Sequence, residues 1–229
     1  MRLGQIGLEA NYLCWMQDTY RHKGMRKQLI QQLREKGIVN EAVLEAFDQV
    51  PRHFFLDLAF EQQAYSNVAF QIGAGQTISH PYTVAFQSSL LELKKGDKVL
   101  EIGTGSGFQT AILFKLGAKI YSIERQKELH VKATHILEKL KVRAQLFFGD
   151  GYQGKEIFGP YDKILVTCGA PSIPQTLLNQ LKFGGYLVIP VGGDEGQEMV
   201  RITKLAENEY KEELFGYFSF VPMLEKTVK

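Results

Sequence analysis

Cysteine is nearly absent from this sequence. Only Cys14 and Cys168 occur among its 229 residues, far apart and in no metal-ligand spacing. That excludes a disulfide framework and predicts two free thiols in a reducing, cytoplasmic compartment. Charge of one sign is also lacking: the formal net charge is +2. So small an imbalance offers no footprint for a polyanion, and no nucleic-acid partner is expected. No stretch approaches the roughly 18 apolar residues of a membrane span, and the first twenty lack the uninterrupted apolar core of a secretory signal. Repeats and low-complexity tracts are missing as well. The five histidines, at 22, 53, 80, 130 and 135, show no triad spacing, and no metal is expected.

What is present is an ordinary globular composition, 45 % hydrophobic and 23 % charged. Residues 25–36 place Met25, Leu29, Ile30 and Leu33 at helical spacing, with Gly37 as a stop. Asn40 reads as the cap of a second helix that Pro51 ends. Residues 52–80 read as structured loop with short strands. Pro81 opens an amphipathic helix that turns Val84, Leu90, Leu91 and Leu93 inward. Residues 1–24 are set apart as an extension of uncertain order, and Met16 or Met25 is an equally good start for the globular part.

From Lys98 the rhythm becomes strand–helix alternation. Strands are predicted at 98–103, 119–124, 144–150, 161–168 and 184–192, with helices near 106–116, 126–140 and 174–182. Several strands are continuously apolar, as in a sheet covered on both faces. Residues 199–205 and 212–220 flank a polar turn and read as an antiparallel hairpin. The expected fold is α/β: a doubly wound, mostly parallel sheet with an N-terminal helical addition and a C-terminal antiparallel hairpin. Residues 25–229 form one domain, with 25–95 as a covering part and 96–229 as the sheet.

The first strand runs into the turn VLEIGTGSGFQT, with glycines at 103, 105 and 107. A dinucleotide fingerprint needs its third glycine at 108, where this chain has Phe108, so a pyrophosphate ligand is disfavoured. Glu124 ends the second strand some twenty residues on, where an acidic side chain accepts ribose hydroxyls. Asp150, in Gly149–Asp150–Gly151, ends the third strand and is placed to accept from an adenine amino group. Each piece has a bland reading: a tight connection, a solvated glutamate, a capping aspartate. Their order along one β-α-β-α-β run is what points to an adenosine cofactor.

The E-x-G-x-G-x-G form resembles motif I of the class I methyltransferases, which have Rossmann-like sheets. The resemblance implies S-adenosylmethionine, held by Glu101, Gly103, Thr104, Gly105, Ser106, Gly107, Glu124, Asp150 and Gly151. The Asn/Asp-Pro-Pro-aromatic and Pro-Cys motifs of base-methylating enzymes are absent. With IGAGQTISHPYTVAFQ, PRHFF, GDGYQG, PYDKILVT and FVPML, residues 25–224 resemble the protein-L-isoaspartate O-methyltransferases. That likeness implies methylation of the abnormal carboxylate of isoaspartyl residues in aged proteins, whose ester then closes to a succinimide. It places Ser79 at the active centre, Gln76, Thr77 and Ile78 in the loop over cofactor and substrate, and Val221 at the substrate carboxylate. A departure is His80, where bacterial members commonly have Gln; it bears on substrate preference. From sequence alone Ser79, two residues before a helix-opening proline, reads first as a cap or turn residue, and it is the family motif around it that reverses that reading.

The chemistry asks little of the protein. A carboxylate acceptor is ionised at neutral pH, with a reference pKa of about 3.9, so no general base is needed. Alignment alone supplies about 7–11 kcal/mol. Isoaspartyl peptides are the expected partners of a monomeric enzyme, with no membrane. Two rivals differ in kind. A methyltransferase of RNA or a small molecule would show a basic cleft or steeply salt-dependent turnover. A non-catalytic cofactor-binding module would bind S-adenosylmethionine and methylate nothing.

Overall fold

The computed structural model describes residues 17–193 and 195–229. Cys14 and most of the expected N-terminal extension lie outside the described residues. Helix α1, Tyr20–Glu35, starts five residues before Met25. The start was hidden because the cap is Thr19 paired reciprocally with His22, not with the glutamate of the usual capping box. Helix α2, Glu41–Gln49, is capped by the Asn40 side chain as expected. Short 3-10 turns at Arg52–Phe55 and Leu58–Gln63 lead to an antiparallel hairpin of β1 (Phe70–Gly73) and β2 (Gln76–Ile78). Helix α3, Pro81–Leu90, follows directly.

The sheet then assembles from β3 (Lys98–Ile102), β4 (Lys119–Glu124), β5 (Ala144–Phe148), β6 (Tyr161–Val166), β7 (Leu181–Gly193), β8 (Gly196–Ala206) and β9 (Glu209–Phe218). Their order is β5-β4-β3-β6-β7-β8-β9. The first five in that order are parallel, and β8 and β9 add an antiparallel edge. Helices α4 (Phe108–Lys115), α5 (Lys127–Lys139) and α6 (Gln175–Asn179) are three of the four crossovers, and two short 3-10 turns at Gly151–Gln153 and Glu156–Phe158 join β5 to β6. The last is shorter than expected, because Leu181, read as helical, pairs with Tyr161 and opens β7.

Alternation along β3 shows how both faces are covered. Val99 packs in one cluster with Leu113 and Leu91, whereas Leu100 and Ile102 pack in another with Ile164, Leu177 and Leu187. A third cluster joins Leu29, Leu33, Val43 and Phe47 of the N-terminal helices to Phe108 and Ile112 of α4. Because β3 pairs with β4 on one side and β6 on the other, the chain reverses direction across the sheet at β3. The crevice at the carboxyl ends of these strands follows from that reversal.

Candidate active site

Each strand in the middle of the sheet delivers its last residues to one crevice. The β3–α4 turn carries Gly103, Gly105 and Gly107, all at positive φ. At Gly103 the need for glycine is doubly enforced: φ is +95°, and a Cβ would stand 2.5 Å from Thr167 Oγ1. That hydroxyl donates to the Gly103 carbonyl at 2.7 Å, locking the end of β6 to the turn. Gly107 opens α4, and a Cβ there would press on Leu137 at 3.1 Å.

Glu124 is almost fully buried and works on both sides. Its Oε2 accepts from Gly105 N at 2.8 Å and its Oε1 from Gln126 N at 2.8 Å. Each oxygen retains a further lone pair for a ligand hydroxyl. Asp150 accepts from Tyr152 N at 2.9 Å and, across the chain, from Lys226 N at 2.8 Å. The bland capping role is therefore real for Asp150, alongside any ligand role.

Two adjoining clefts result. The first, about 60 Å³, is lined by Gln76, Thr77, Gly103, Glu124, Gly151 and Val221, among others. The second, about 40 Å³, is lined by Thr77, Ile78, Ser79, Thr104, Ser106 and Gln109, among others. They share Thr77, Gly103, Gly105 and Thr167. The hairpin that brings Gln76 and Thr77 here touches the glycine turn itself: Ile72 Cδ1 lies 3.5 Å from where a Gly105 Cβ would be. A larger, mostly apolar cavity of about 410 Å³, lined by Phe54, Leu56, Leu129 and Ile136, meets this turn only at Gly105 and Ser106. Neither Ser79, Glu124 nor Asp150 lines it.

Ser79 is half-buried, and its hydroxyl makes no hydrogen bond to any described residue. The capping reading fails for it. Helix α3 has His80 at its cap position without a side-chain bond, and Asn67 Oδ1 reaches in from the preceding loop to accept from Tyr82 N at 2.9 Å.

Three sequence expectations are corrected in part. Glu101 lines neither cleft; it is wholly buried, with Thr110 Oγ1 donating to its Oε2 at 2.6 Å. Burial pushes its carboxyl up to about 7, against the lowering effect of Thr110 and Ser122. Gly107 likewise shapes the turn without lining either cleft, and Asp150 lines neither, its oxygens accepting from Tyr152 N and Lys226 N beside Gly151, which does line the first. Other residues were missed. Thr167 and Cys168 line the first cleft, and Arg125 beside Glu124 does so too. Applying the strand-end rule to the fourth parallel strand would have found the first two. Burial pushes the Cys168 thiol up to about 12, so it sits there as a neutral wall. No histidine lines either cleft among the described residues.

Residues 24–228 match the sequence model of the family described as protein-L-isoaspartate(D-aspartate) O-methyltransferase. The chain belongs to that family. A protein-L-isoaspartate O-methyltransferase of Christiangramia forsetii is 57 % identical over 211 residues, covering 92 % of this chain and 99 % of the relative. Another, from Dictyoglomus thermophilum, is 46 % identical over 207 residues, covering 90 % and 94 %. A crystal structure of a Plasmodium falciparum protein ascribed the same activity, in complex with S-adenosyl-L-homocysteine, superposes with a TM-score of 0.76 at 26 % identity. It covers 87 % of this chain and 98 % of that one. The isoaspartate methyltransferase family thus accounts for nearly the whole chain, including the glycine turn, the β1–β2 hairpin and the Val221 segment.

Proposed function

We propose that this chain transfers the methyl group of S-adenosylmethionine to the free α-carboxylate of L-isoaspartyl residues, whose peptide bond runs through the side-chain carbonyl, beginning a repair that proceeds through a succinimide. The observation that carries the reading is the uncommitted Ser79 hydroxyl beside the glycine turn, relieved of capping by Asn67.

The residues present fit the cofactor. Gly103 and Gly105 leave bare backbone, and at Gly151 a Cβ would collide with Ile102 Cγ2 at 2.4 Å, so the pocket floor stays open. Glu124 would accept from the ribose and Asp150 from the adenine amino group. Gly103, Thr104, Gly105, Ser106 and Gly151 would line the remainder. When bound, S-adenosylmethionine supplies a methyl group already activated on a sulfonium.

The chain's own residues supply position. Gln76, Thr77 and Ile78 cover the junction of the two clefts. Ser79 donates to one acceptor oxygen and leaves the other oriented for in-line attack. Backbone at Val221 holds the carboxylate from the opposite wall. The acceptor is ionised at neutral pH, so no base is required, consistent with two clefts that hold no histidine. We read residues 25–95 as the part that covers substrate and 96–229 as the cofactor sheet of one domain. We further read the chain as a cytoplasmic monomer that acts on isoaspartyl-containing peptides and proteins, independently of nucleic acid or membrane. The low cysteine content and near-neutral charge support this, and no described helix is long and apolar enough to cross a membrane.

The test is direct. The protein is incubated with methyl-labelled S-adenosylmethionine and a pair of peptides, one isoaspartyl and one its aspartyl twin. Base-labile label on the isoaspartyl peptide alone is expected. Label on neither, despite cofactor binding, would overturn the assigned acceptor.

A further inference from the structure

The last residues of the chain do something their exposure does not foretell. After β9 the backbone turns back over the carboxyl ends of the strands. Gly169 N donates to the Val221 carbonyl at 2.9 Å, and Met223 N donates to the Gly169 carbonyl at 2.7 Å. Tyr152 Oη donates to the Met223 carbonyl at 3.2 Å. Met223 is buried, and there the apolar anchoring stops: residues 224–229 are all exposed.

An exposed segment ordinarily leaves its peptide groups to water. Here five hydrogen bonds tie it down instead. Lys226 N donates to Asp150 Oδ2 at 2.8 Å. The Arg125 guanidinium donates from Nε to the Lys226 carbonyl at 3.0 Å and from Nη2 to the Glu225 carbonyl at 3.3 Å. Val228 N donates to the Arg125 carbonyl at 2.8 Å, and Lys127 N donates to the Val228 carbonyl at 2.9 Å. Every one of these partners belongs either to the stretch just after Glu124 or to Asp150. Those are the ribose and adenine positions of the proposed reading, on which this inference rests. Leu224 meanwhile lines the first cleft together with Arg125.

We propose that residues 224–228 form a strap that shuts the adenosine end of the cofactor cleft. Arg125 is the positioning residue that keeps it shut. A strap held by backbone hydrogen bonds, without buried side chains beyond Met223, opens at low cost while the sheet beneath stays intact. It thereby sets how fast the spent cofactor leaves. Arg125 suits this because one planar fork reaches two successive carbonyls, which a lysine ammonium cannot do in the same geometry.

Three chains are compared: the wild type, Arg125→Ala, and a deletion of residues 225–229. S-adenosylhomocysteine affinity is read by calorimetry, its dissociation rate by stopped flow, and backbone protection at Lys226 and Val228 by hydrogen exchange without ligand. Both variants are expected to release S-adenosylhomocysteine about ten-fold faster and bind it correspondingly more weakly. The cost should fall on the KM for S-adenosylmethionine, not on kcat. Arg125→Ala should lose protection at both amides, and Arg125→Lys should recover part of it. A deletion variant that folds, yet releases the ligand at the wild-type rate, overturns the strap. A wild-type chain that does not bind S-adenosylhomocysteine overturns the cofactor reading beneath it, which separates the two failures.

Discussion

Asn67 and Ser79 divide a task that a single residue often performs. Asn67 closes the end of α3 from a distance, which leaves the Ser79 hydroxyl available at the cleft. Ser79→Ala should therefore leave thermal stability and S-adenosylhomocysteine affinity nearly unchanged. Its kcat should fall about 10- to 100-fold, the worth of one hydrogen bond to a charged oxygen. Steady-state kinetics with an isoaspartyl peptide would show this, and unchanged turnover would remove Ser79 from the reaction. Asn67→Ala should do the reverse, costing about 1 kcal/mol of stability in a denaturant titration through the lost cap. Glu124→Ala should weaken cofactor binding by about 1–3 kcal/mol in calorimetry. It should also lower the melting temperature, since the amides of Gly105 and Gln126 lose their acceptor.

Among the elements, legibility followed the kind of bond involved. Strands β3 to β6 could be read because hydrophobic runs and strand-end chemistry are local: Gly103, Glu124 and Asp150 each stand at a strand end. The start of α1 could not, because Thr19 pairs with a histidine where the rule seeks a glutamate. The return of residues 221–228 was visible only at Val221, through family resemblance, since backbone hydrogen bonds leave no trace in side-chain composition. The loop of residues 52–68 is a similar case. Its organiser is Arg52, fully buried, donating from Nε to the Ala64 carbonyl at 3.0 Å and from Nη2 to the Val68 carbonyl at 3.2 Å. The guanidinium also lies over Phe108, 5.1 Å from its ring centre. Arg52→Ala should destabilise the protein by about 2–4 kcal/mol, from a cavity plus two abandoned carbonyls. Because this loop leads into the β1–β2 hairpin, the same variant should raise the KM for peptide.

For the molecule as a whole, acid sensitivity should originate in a histidine pair that lines neither cleft. His22 and His53 stack at 3.8 Å between ring centres, faced by Asp18, Arg26, Glu61 and Tyr65. Burial, then the neighbouring His22, push His53 from 6.5 down to about 4. The unfolded chain therefore takes up its proton before the folded one does. Stability should decline as pH falls from about 6.5 towards about 4, and this contribution should level off below. Urea titrations across that range would reveal the slope, and His53→Gln should lack its share of it. A wild type with equal stability at pH 7 and pH 4.5 would rule the mechanism out.

The added strands have a consequence for how copies of this chain meet. Extending the sheet through β8 to β9 carries the backbone to where it can turn back over the cleft, but it also leaves β9 as an open edge. Such an edge invites a second strand, and Leu214 and Tyr217 on it are exposed. Yet β9 also carries Glu209, Lys211, Glu212 and Glu213, and Gly216 in a left-handed conformation interrupts its run. Strands studded with charge make poor templates for one another, so resistance to aggregation is built into the same element that delivers the C-terminal segment to the cleft.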